Sequence, residues 1–154
     1  MKKLSVILVV IALVISIAGC AKTKTTMGYD SLYNPTLGKV ISLGDSKDNI
    51  EKVLGQGRRS AEYGFYDYGD FSVRYIDGKA TRFFVITRDW QTKNKISSNT
   101  TLEDLLNIEG DPHEIDDQIR YYLYDNRTVC AGFIVQNEKV VHYFIYSQYD
   151  QVAT

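Results

Sequence analysis

The sequence contains the same segment twice, and this internal repeat constrains the fold more than any other feature. Residues 41–55 read ISLGDSKDNIEKVLG, and residues 96–110, which begin 55 positions later, read ISSNTTLEDLLNIEG. The isoleucine-serine pair that opens the first copy and the glycine that closes it recur at the equivalent positions of the second. A fixed internal period indicates that one supersecondary unit is built twice.

Each copy predicts a short helix with a defined start and end. Asp45 or Ser46 can accept hydrogen bonds from the first helical amides of the first copy, and Thr100 or Thr101 can do so in the second. The closing glycine can adopt the left-handed conformation that ends a helix. The apolar residues in between lie three and four positions apart and form one stripe per helix. They are Ile50, Val53 and Leu54 in the first copy, and Leu102, Leu105, Leu106 and Ile108 in the second.

After the first helix the hydrophobic period changes to two, which is typical of a half-buried hairpin. We predict a three-residue loop that holds Gly78 in the left-handed conformation and pairs Tyr75 with Lys79. A two-residue loop would leave Phe83 and Val85 on the polar face. The preferred register therefore gathers Phe71, Val73, Tyr75, Phe83 and Val85 on one face and Ser72, Arg74, Arg82, Phe84 and Ile86 on the other.

The second copy predicts the same layout, with a turn at Asn137-Glu138 and five extra residues before the hairpin. One face is expected to carry Ala131, Phe133, Val135, Val141, Tyr143 and Ile145. The opposite face is expected to carry Ile134, His142, Phe144 and Tyr146.

The N-terminus has the pattern of a secretory leader. Lys2 and Lys3 precede an apolar run from Leu4 to Ile17 that is short for a membrane span. The segment Ile17-Ala18-Gly19-Cys20 resembles the lipobox of bacterial lipoproteins, in which the cysteine carries diacylglycerol and becomes the first mature residue. The resemblance implies a signal peptide over 1–19 and a lipidated Cys20 on the extracytoplasmic face of the cell membrane. The polar residues Lys22 to Thr26 and the turn signal Asn34-Pro35 predict a tether over 20–38, ahead of a domain over 39–154. The alternatives are a plain secretory signal and an anchor helix.

The net charge argues against nucleic acid as a partner, and the cysteine content argues against a disulfide. Without Lys2 and Lys3 the chain has 16 basic and 19 acidic residues, a net charge of −3. Such a balance gives no reason to expect nucleic acid as a partner. If Cys20 carries lipid, Cys130 has no cysteine to pair with, and its apolar neighbours predict a buried, inert thiol.

The repeated segment and the strands that follow it resemble the β-lactamase-inhibitor-protein-like (BLIP-like) repeat. The resemblance covers about residues 39–147, with repeat one at about 39–93 and repeat two at about 94–147. Its motifs are Gly44-Asp45-Ser46, Val53, Leu54-Gly55, Tyr66-Asp67-Tyr68 and Ile76-Asp77-Gly78-Lys79, then Asn99-Thr100-Thr101 and Gly110-Asp111-Pro112 in a degenerate second copy.

That resemblance implies an α+β fold in which two tandem helix–β-meander repeats form one curved antiparallel sheet with short helices packed on one face. In the inhibitor members of the family, the concave face of the sheet binds a protein partner. The related small outer-membrane assembly lipoproteins use similar units as a scaffold. Because fold does not determine function, the resemblance favours protein binding in general and does not by itself imply β-lactamase inhibition.

No residue pattern indicates catalysis, a cofactor or a metal site. His113 and His142 have no second ligand at metal spacing, and the chain has no nucleophile-elbow, CxxC or phosphate-loop motif. The acidic loop at 111–117 could hold calcium, but it lacks the spacing of a known calcium loop, so a solvated loop is the favoured interpretation. We therefore predict a protein without enzymatic activity.

The remaining candidate for function is the sheet face that turns away from the helices. Arginine, tryptophan and tyrosine dominate binding hot spots. The predicted protein-binding residues are Arg74, Arg82, Phe84, Trp90, His142, Phe144 and Tyr146. The main hypothesis is a lipoprotein that binds an extracytoplasmic protein through this face, as an inhibitor or as a member of an envelope complex. The alternatives are a binder of small ligands or cell wall, and a sheet whose face is hidden by closure or by the tether.

Overall fold

The computed structural model describes residues 27–61, 64–69 and 71–148, and strands dominate them. After an initial hairpin, one helix and four strands follow in order, and this order then occurs a second time. The hairpin is β1 (Ser31–Asn34) and β2 (Lys39–Ser42). The first set is α1 (Lys47–Leu54), β3 (Arg58–Arg59), β4 (Phe65–Asp67), β5 (Phe71–Ile76) and β6 (Lys79–Val85). The second set is α2 (Leu102–Glu109), β7 (Glu114–Asp116), β8 (Ile119–Tyr124), β9 (Val129–Gln136) and β10 (Lys139–Ser147), with a 3-10 turn at Asp125–Arg127.

The strands of both sets form one antiparallel sheet in the order β3-β4-β5-β6-β10-β9-β8-β7. The two halves meet at the centre, where β6 and β10 pair and Phe84 lies opposite Phe144. Among the described residues the edge strands β3 and β7 do not pair with each other, so the sheet is open at both sides. Closure of the sheet therefore does not cover the sheet face that lies opposite the helices.

The prediction of an α+β fold is wrong. Strands account for 46% of the described residues and helices for 17%, so the chain is mostly β. Both helices have only eight residues, and each fully buries a single apolar side chain, Ile50 in α1 and Leu105 in α2. Sequence periodicity detects a capped helix readily, but it underestimates strands as short as β3 and β7, because two or three residues show no alternation.

The residues that cap and close the two helices are among those that the sequence predicts. Ser46 accepts a hydrogen bond from the amide of Asn49 at 3.3 Å. Thr101 accepts one from the amide of Asp104 at 3.0 Å and donates one to its carboxylate at 2.8 Å. A glycine with positive φ ends each helix, but ψ values of −176° at Gly55 and −159° at Gly110 place both glycines outside the left-handed helical conformation that the sequence predicts. These contacts satisfy amides that have no partner within the helix.

The three-residue loop predicted for the first hairpin is wrong, and so is the pairing predicted beside it. The loop has two residues, Asp77 and Gly78, both with positive φ, and Ile76 pairs with Lys79. The extra residue lies further along, because Tyr75 pairs with Ala80 but Arg74 pairs with Arg82. This β-bulge shifts the strand by one residue, which exchanges its two faces.

The bulge makes the predicted faces correct despite the wrong turn. Phe71, Val73, Phe83 and Val85 are all at most 2% exposed, whereas Phe84 is half-buried. One extra residue in the strand, at the bulge, reverses the side-chain directions that follow just as one extra residue in the loop would. The two arrangements therefore gather the same apolar residues.

The second hairpin has the same combination of a two-residue turn and a bulge. Its two-residue turn at Asn137 and Glu138 again has positive φ at both positions, and a register shift lies between Val140 and His142. The buried side chain is consequently Val140, at 1% exposure. The prediction that Val141 faces the core is wrong, because this residue occupies the bulge.

The core lies between the helices and one face of the sheet, and both halves contribute to it. The largest fully buried side chains include Val73, Phe83 and Val85 from the first half, and Tyr122, Phe133, Tyr143 and Ile145 from the second. The Tyr143 hydroxyl donates to the Trp90 carbonyl at 2.7 Å, which satisfies its one polar group. Both halves thus depend on one shared core.

The segment before the first helix also joins the core. Strand β1 lies within the stretch that the sequence assigns to the tether, and its Leu32 is fully buried. Further toward the N-terminus, the ring of Tyr29 stacks on Tyr124 at 4.2 Å. Within the described residues no helix is long and apolar enough to cross a membrane. The predicted signal peptide and Cys20 lie outside the described residues.

Candidate functional site

The sheet face opposite the helices forms the candidate interaction surface, here called the open face. Cross-strand pairing places Arg74 beside Arg82, Arg82 beside Tyr146, and Phe84 beside Phe144. Since residues directly opposite each other in an antiparallel sheet point to the same side, these side chains share one surface. The open face thus carries aromatic and arginine side chains from both halves of the chain.

Its rings are in mutual contact along the sheet. The ring of Phe144 lies 5.9 Å from that of Tyr146 and 6.0 Å from that of Tyr121, and Phe84 lies 6.0 Å from His142. The Arg82 guanidinium carbon lies 4.8 Å from the centre of the Tyr146 ring. Ring contacts and the cation–π contact restrict these side chains and so hold the surface in one arrangement.

Most of the predicted binding residues are brought together, but not all. Arg74, Arg82, Phe84, His142 and Phe144 are half-buried on the open face, while Tyr146 is only 8% exposed beneath Arg82 and Phe144.

Trp90 does not belong to this surface. It is 4% exposed and lies 5.5 Å from Phe71, on the core side. Its predicted place on the open face requires the strand period to continue as far as Trp90. Strand β6 ends at Val85 and the chain bends at 87–89, so the period no longer applies.

Three residues of the open face were missed by the sequence reasoning. Phe65 pairs with Arg74 across β4 and β5, and Tyr121 pairs with Gly132 across β8 and β9. Alternation within Phe65-Tyr66-Asp67 and within Tyr121-Tyr122-Leu123 could have assigned Phe65 and Tyr121 to this face. Nothing in the local sequence indicated the role of Gly132.

Gly132 allows Phe144 to lie flat across the neighbouring strand. The two residues are backbone partners in β9 and β10. A Cβ atom built at Gly132 would lie 2.8 Å from Cε1 of Phe144 and closer still to two other atoms of its ring. A side chain at this position would therefore have to displace the ring from the open face.

We expect Gly132→Ala to lower the free energy of unfolding by about 1–3 kcal/mol, because the added methyl group overpacks this contact. In a Phe144→Ala background the same change should cost much less, since the ring that it strikes is absent. Denaturant unfolding of the two single variants and the double variant measures this coupling. Equal costs in both backgrounds would contradict the contact.

Among the described residues, the open face has one hollow lined mainly by the first half and another lined by the second half. The first, of about 510 Å³, is lined by Ser60, Phe65, Asp67, Ser72, Arg82, Phe84 and Phe144. The second, of about 480 Å³, is lined by His113, Glu114, Asp116, Tyr121, Leu123, Arg127, Cys130 and Tyr146. The first hollow has three phenylalanine rings, one arginine and one carboxylate, whereas the second has no phenylalanine and has two carboxylates, one arginine and one histidine.

The ionisable groups of these hollows do not indicate a reactive centre. The Gly69 amide and then Arg58 hold the pKa of the Asp67 carboxyl below its usual value. Burial raises the pKa of the Cys130 thiol, which is 3% exposed, and this confirms the buried thiol that the sequence predicts. A thiol with a raised pKa is a poor nucleophile at neutral pH. Among the described residues, no group of three or more histidine, cysteine, aspartate or glutamate residues is arranged to hold a metal ion.

Comparisons with known proteins give similarity in structure only. No family profile matches the chain, and no curated protein matches it. An extracellular protein containing an SCP domain from Bacillus anthracis is similar over 71% of this chain, with a TM-score of 0.58 and 13% identity. A DUF4309 family protein from Bacillus subtilis is similar over 68% of this chain and 79% of its own length, with a TM-score of 0.50 and 14% identity. This chain covers 45% of the SCP-domain protein, and such low identities show the fold alone.

Proposed function

We propose that this chain is a membrane-anchored extracytoplasmic lipoprotein that binds another protein through its open face. The observation that carries the proposal is the continuous surface that Arg82, Phe84 and Phe144 form over the buried Tyr146 at the junction of the two halves. Arginine and aromatic side chains supply large contact areas at little cost in conformational entropy. The ring contacts reduce that cost further, because the side chains are ordered before a partner arrives.

A relationship to BLIP-like repeats remains part of this proposal. It is supported by the helix caps at Ser46 and Thr101, which occupy equivalent positions in the two sets of elements. The identical two-residue turns and bulges of the two hairpins also support it. A protein built from such repeats presents one broad sheet face, which suits a protein partner.

The membrane anchor is tested at Cys20. We expect Cys20→Ser to leave the precursor uncleaved by the lipoprotein signal peptidase and to abolish incorporation of labelled fatty acid. Cys130→Ser is the matched control, because it removes the other cysteine of the chain while leaving the lipobox intact. Labelling of the Cys20→Ser variant at the normal level would refute the anchor.

Protein binding is tested by capture from detergent-solubilised membranes of the source cells. The wild-type chain should retain one protein in stoichiometric amount, and Phe84→Ala or Arg82→Ala should weaken its retention about tenfold or more if these residues are hot spots. Asp48→Ala and Lys52→Ala, on the exposed side of α1, are the controls and should capture as the wild type does. Equal loss in the helix variants and the face variants would contradict the assignment of the open face.

Binding of a small ligand or of cell wall is the second candidate, and the first hollow favours it. Its volume of about 510 Å³ lies within the ordinary range of ligand pockets, and three phenylalanine rings line it. The capture experiment separates the two functions, because only protein binding predicts a stoichiometric polypeptide.

A further inference from the structure

The N-terminal end of the described chain lies on the side of the sheet that carries the helices, here called the helix side. The ring of Tyr29 stacks on that of Tyr124 at 4.2 Å, and the Lys93 ammonium lies 4.4 Å from the centre of the Tyr29 ring. Tyr124 pairs with Val129, a member of the core, and itself packs against that core. The chain therefore enters the domain on the side opposite the open face.

The link between this point and the proposed anchor is short. Seven peptide steps separate Cys20 from Met27, the first described residue. Fully extended, seven residues span at most about 25 Å. The sheet has eight strands and is about 34 Å across. A lipid on Cys20 therefore holds the helix side of the second half near the bilayer and turns the open face away from it.

Apolar side chains are exposed on this side of the second half. Leu106 of α2 is 37% exposed, and Ile115 of β7 is 59% exposed. Leu106 has the position in α2 that Glu51 has in α1, where Glu51 pairs with Lys47 at 2.6 Å. The second helix thus has the leucines 102 and 106 where the first helix has an ion pair.

Leu106 lies close to the point where the chain enters the domain. Asn94, the neighbour of Lys93 in the sequence, donates a hydrogen bond to the Glu109 carboxylate at 3.0 Å. This contact joins the last turn of α2 to the segment that touches Tyr29. Residues three apart in a helix are neighbours on its surface, so Leu106 lies one turn before Glu109 on the same side.

Ile115 points to the helix side as well. It pairs with Arg120, and Arg120 pairs with the fully buried Phe133. Since paired residues point to the same side of a sheet, Ile115 lies on the helix side at the edge strand. The exposed leucine and isoleucine therefore belong to the same side of the second half.

The charges of α2 indicate which kind of lipid surface fits. Glu103 and Asp104 are exposed beside Leu106 in the first turns of the helix. Carboxylates are repelled by anionic headgroups and attracted by ammonium groups. The surface therefore suits lipids with zwitterionic ammonium headgroups.

We propose that α2 and β7 rest on the surface of the bilayer that holds the Cys20 lipid, with Leu106 and Ile115 in its interface. These side chains gain free energy by leaving water, and the short link keeps them at a high local concentration beside the lipid. This inference rests on the proposed anchor and adds the orientation of the domain, in which the open face points toward protein partners.

Fluorescence of the full lipidated chain in vesicles tests this orientation. The vesicles contain phosphatidylethanolamine and phosphatidylcholine, with nitroxide-bearing lipids as quenchers. In a Cys130→Ser background the Cys20 thiol carries the lipid, so one introduced cysteine takes a polarity-sensitive dye. The dye at Ile115→Cys should be quenched and shifted to shorter wavelength, whereas the dye at Ser72→Cys, on the open face, should show neither change.

A substitution in α2 then assigns the contact. Leu106→Glu gives α2 the residue that α1 has at this position, and it should lower the ratio of docked to undocked domain, read from the dye at position 115, about tenfold. Asn49→Glu is the matched control, because it adds the same charge to an exposed position of α1 and should leave the ratio unchanged.

Flotation of the vesicles reports the anchor separately. A chain that floats with the vesicles but shows no quenching at position 115 would overturn the orientation alone, and a chain that does not float would overturn the anchor as well. Quenching at position 72 equal to that at position 115 would also contradict the inference. A wavelength shift at position 115 without lipid quenching would assign the surface to a second copy of the chain and overturn the lipid contact.

Discussion

Replacing Phe83 with alanine is expected to lower the free energy of unfolding by about 3–5 kcal/mol. Phe83 is fully buried and lies 5.4 Å from the ring of Phe71, so its removal leaves a cavity at the centre of the shared core. The neighbouring change, Phe84→Ala, removes a half-exposed ring from the open face and should cost at most about 1–2 kcal/mol. Denaturant unfolding of the two variants makes this comparison within a single strand.

The comparison is sensitive to the register of the first hairpin. A shift of one residue exchanges the two faces of a strand. If Phe84→Ala proved the more destabilising change, the bulge after Ala80 would be absent in solution. The binding residues assigned to β6 would then be wrong.

Neither half of the chain is expected to fold alone. Residues 21–94 contain α1 and strands β1 to β6, but the outer side of β6 pairs with β10 in the other half. Without that strand, Phe83 and Val85 lose their packing against Tyr143 and Ile145, and β6 becomes an exposed apolar edge. Units of this size bury too little surface for independent stability.

We therefore expect circular dichroism of the isolated half to show no cooperative thermal transition, whereas the full chain melts cooperatively. Mixing residues 21–94 with residues 95–154 serves as the control, because both parts of the core are then present. A cooperative melt from the first half alone would contradict the shared core.

Local chemistry made the helix ends predictable from the sequence. Capping at Ser46 and Thr101 depends on residues within three positions, and a closing glycine depends on its own backbone, so neither requires knowledge of the tertiary fold. The division of β5 and β6 into two faces was also predictable, because burial alternates with a period of two.

The bulges could not be predicted in the same way. Thr81 and Val141 each occupy the extra position after a two-residue turn, and many residue types are tolerated there. Their effect on the faces resembles that of a longer loop, so the pattern of apolar residues alone does not distinguish the two arrangements.

Long-range packing accounts for the other differences. Trp90 follows the bend at 87–89 beyond the end of β6, and its burial against Phe71 depends on the course of a loop. Leu32 belongs to a segment whose polar flanks suggested a tether, although the residue fills the core. Gly132 matters only because Phe144 crosses it from the next strand. Each of these roles depends on a partner that is distant in the sequence.

Site-specific photo-crosslinking in the source cells tests most directly the central claim that the open face contacts a partner protein. A benzophenone-bearing phenylalanine analogue replaces Phe84 or Phe144 on the open face, or Lys52 on the exposed side of α1 as the control. We predict that both positions of the open face crosslink to the same protein and that position 52 does not. Crosslinks to a protein from position 52, with none from positions 84 and 144, would contradict the claim.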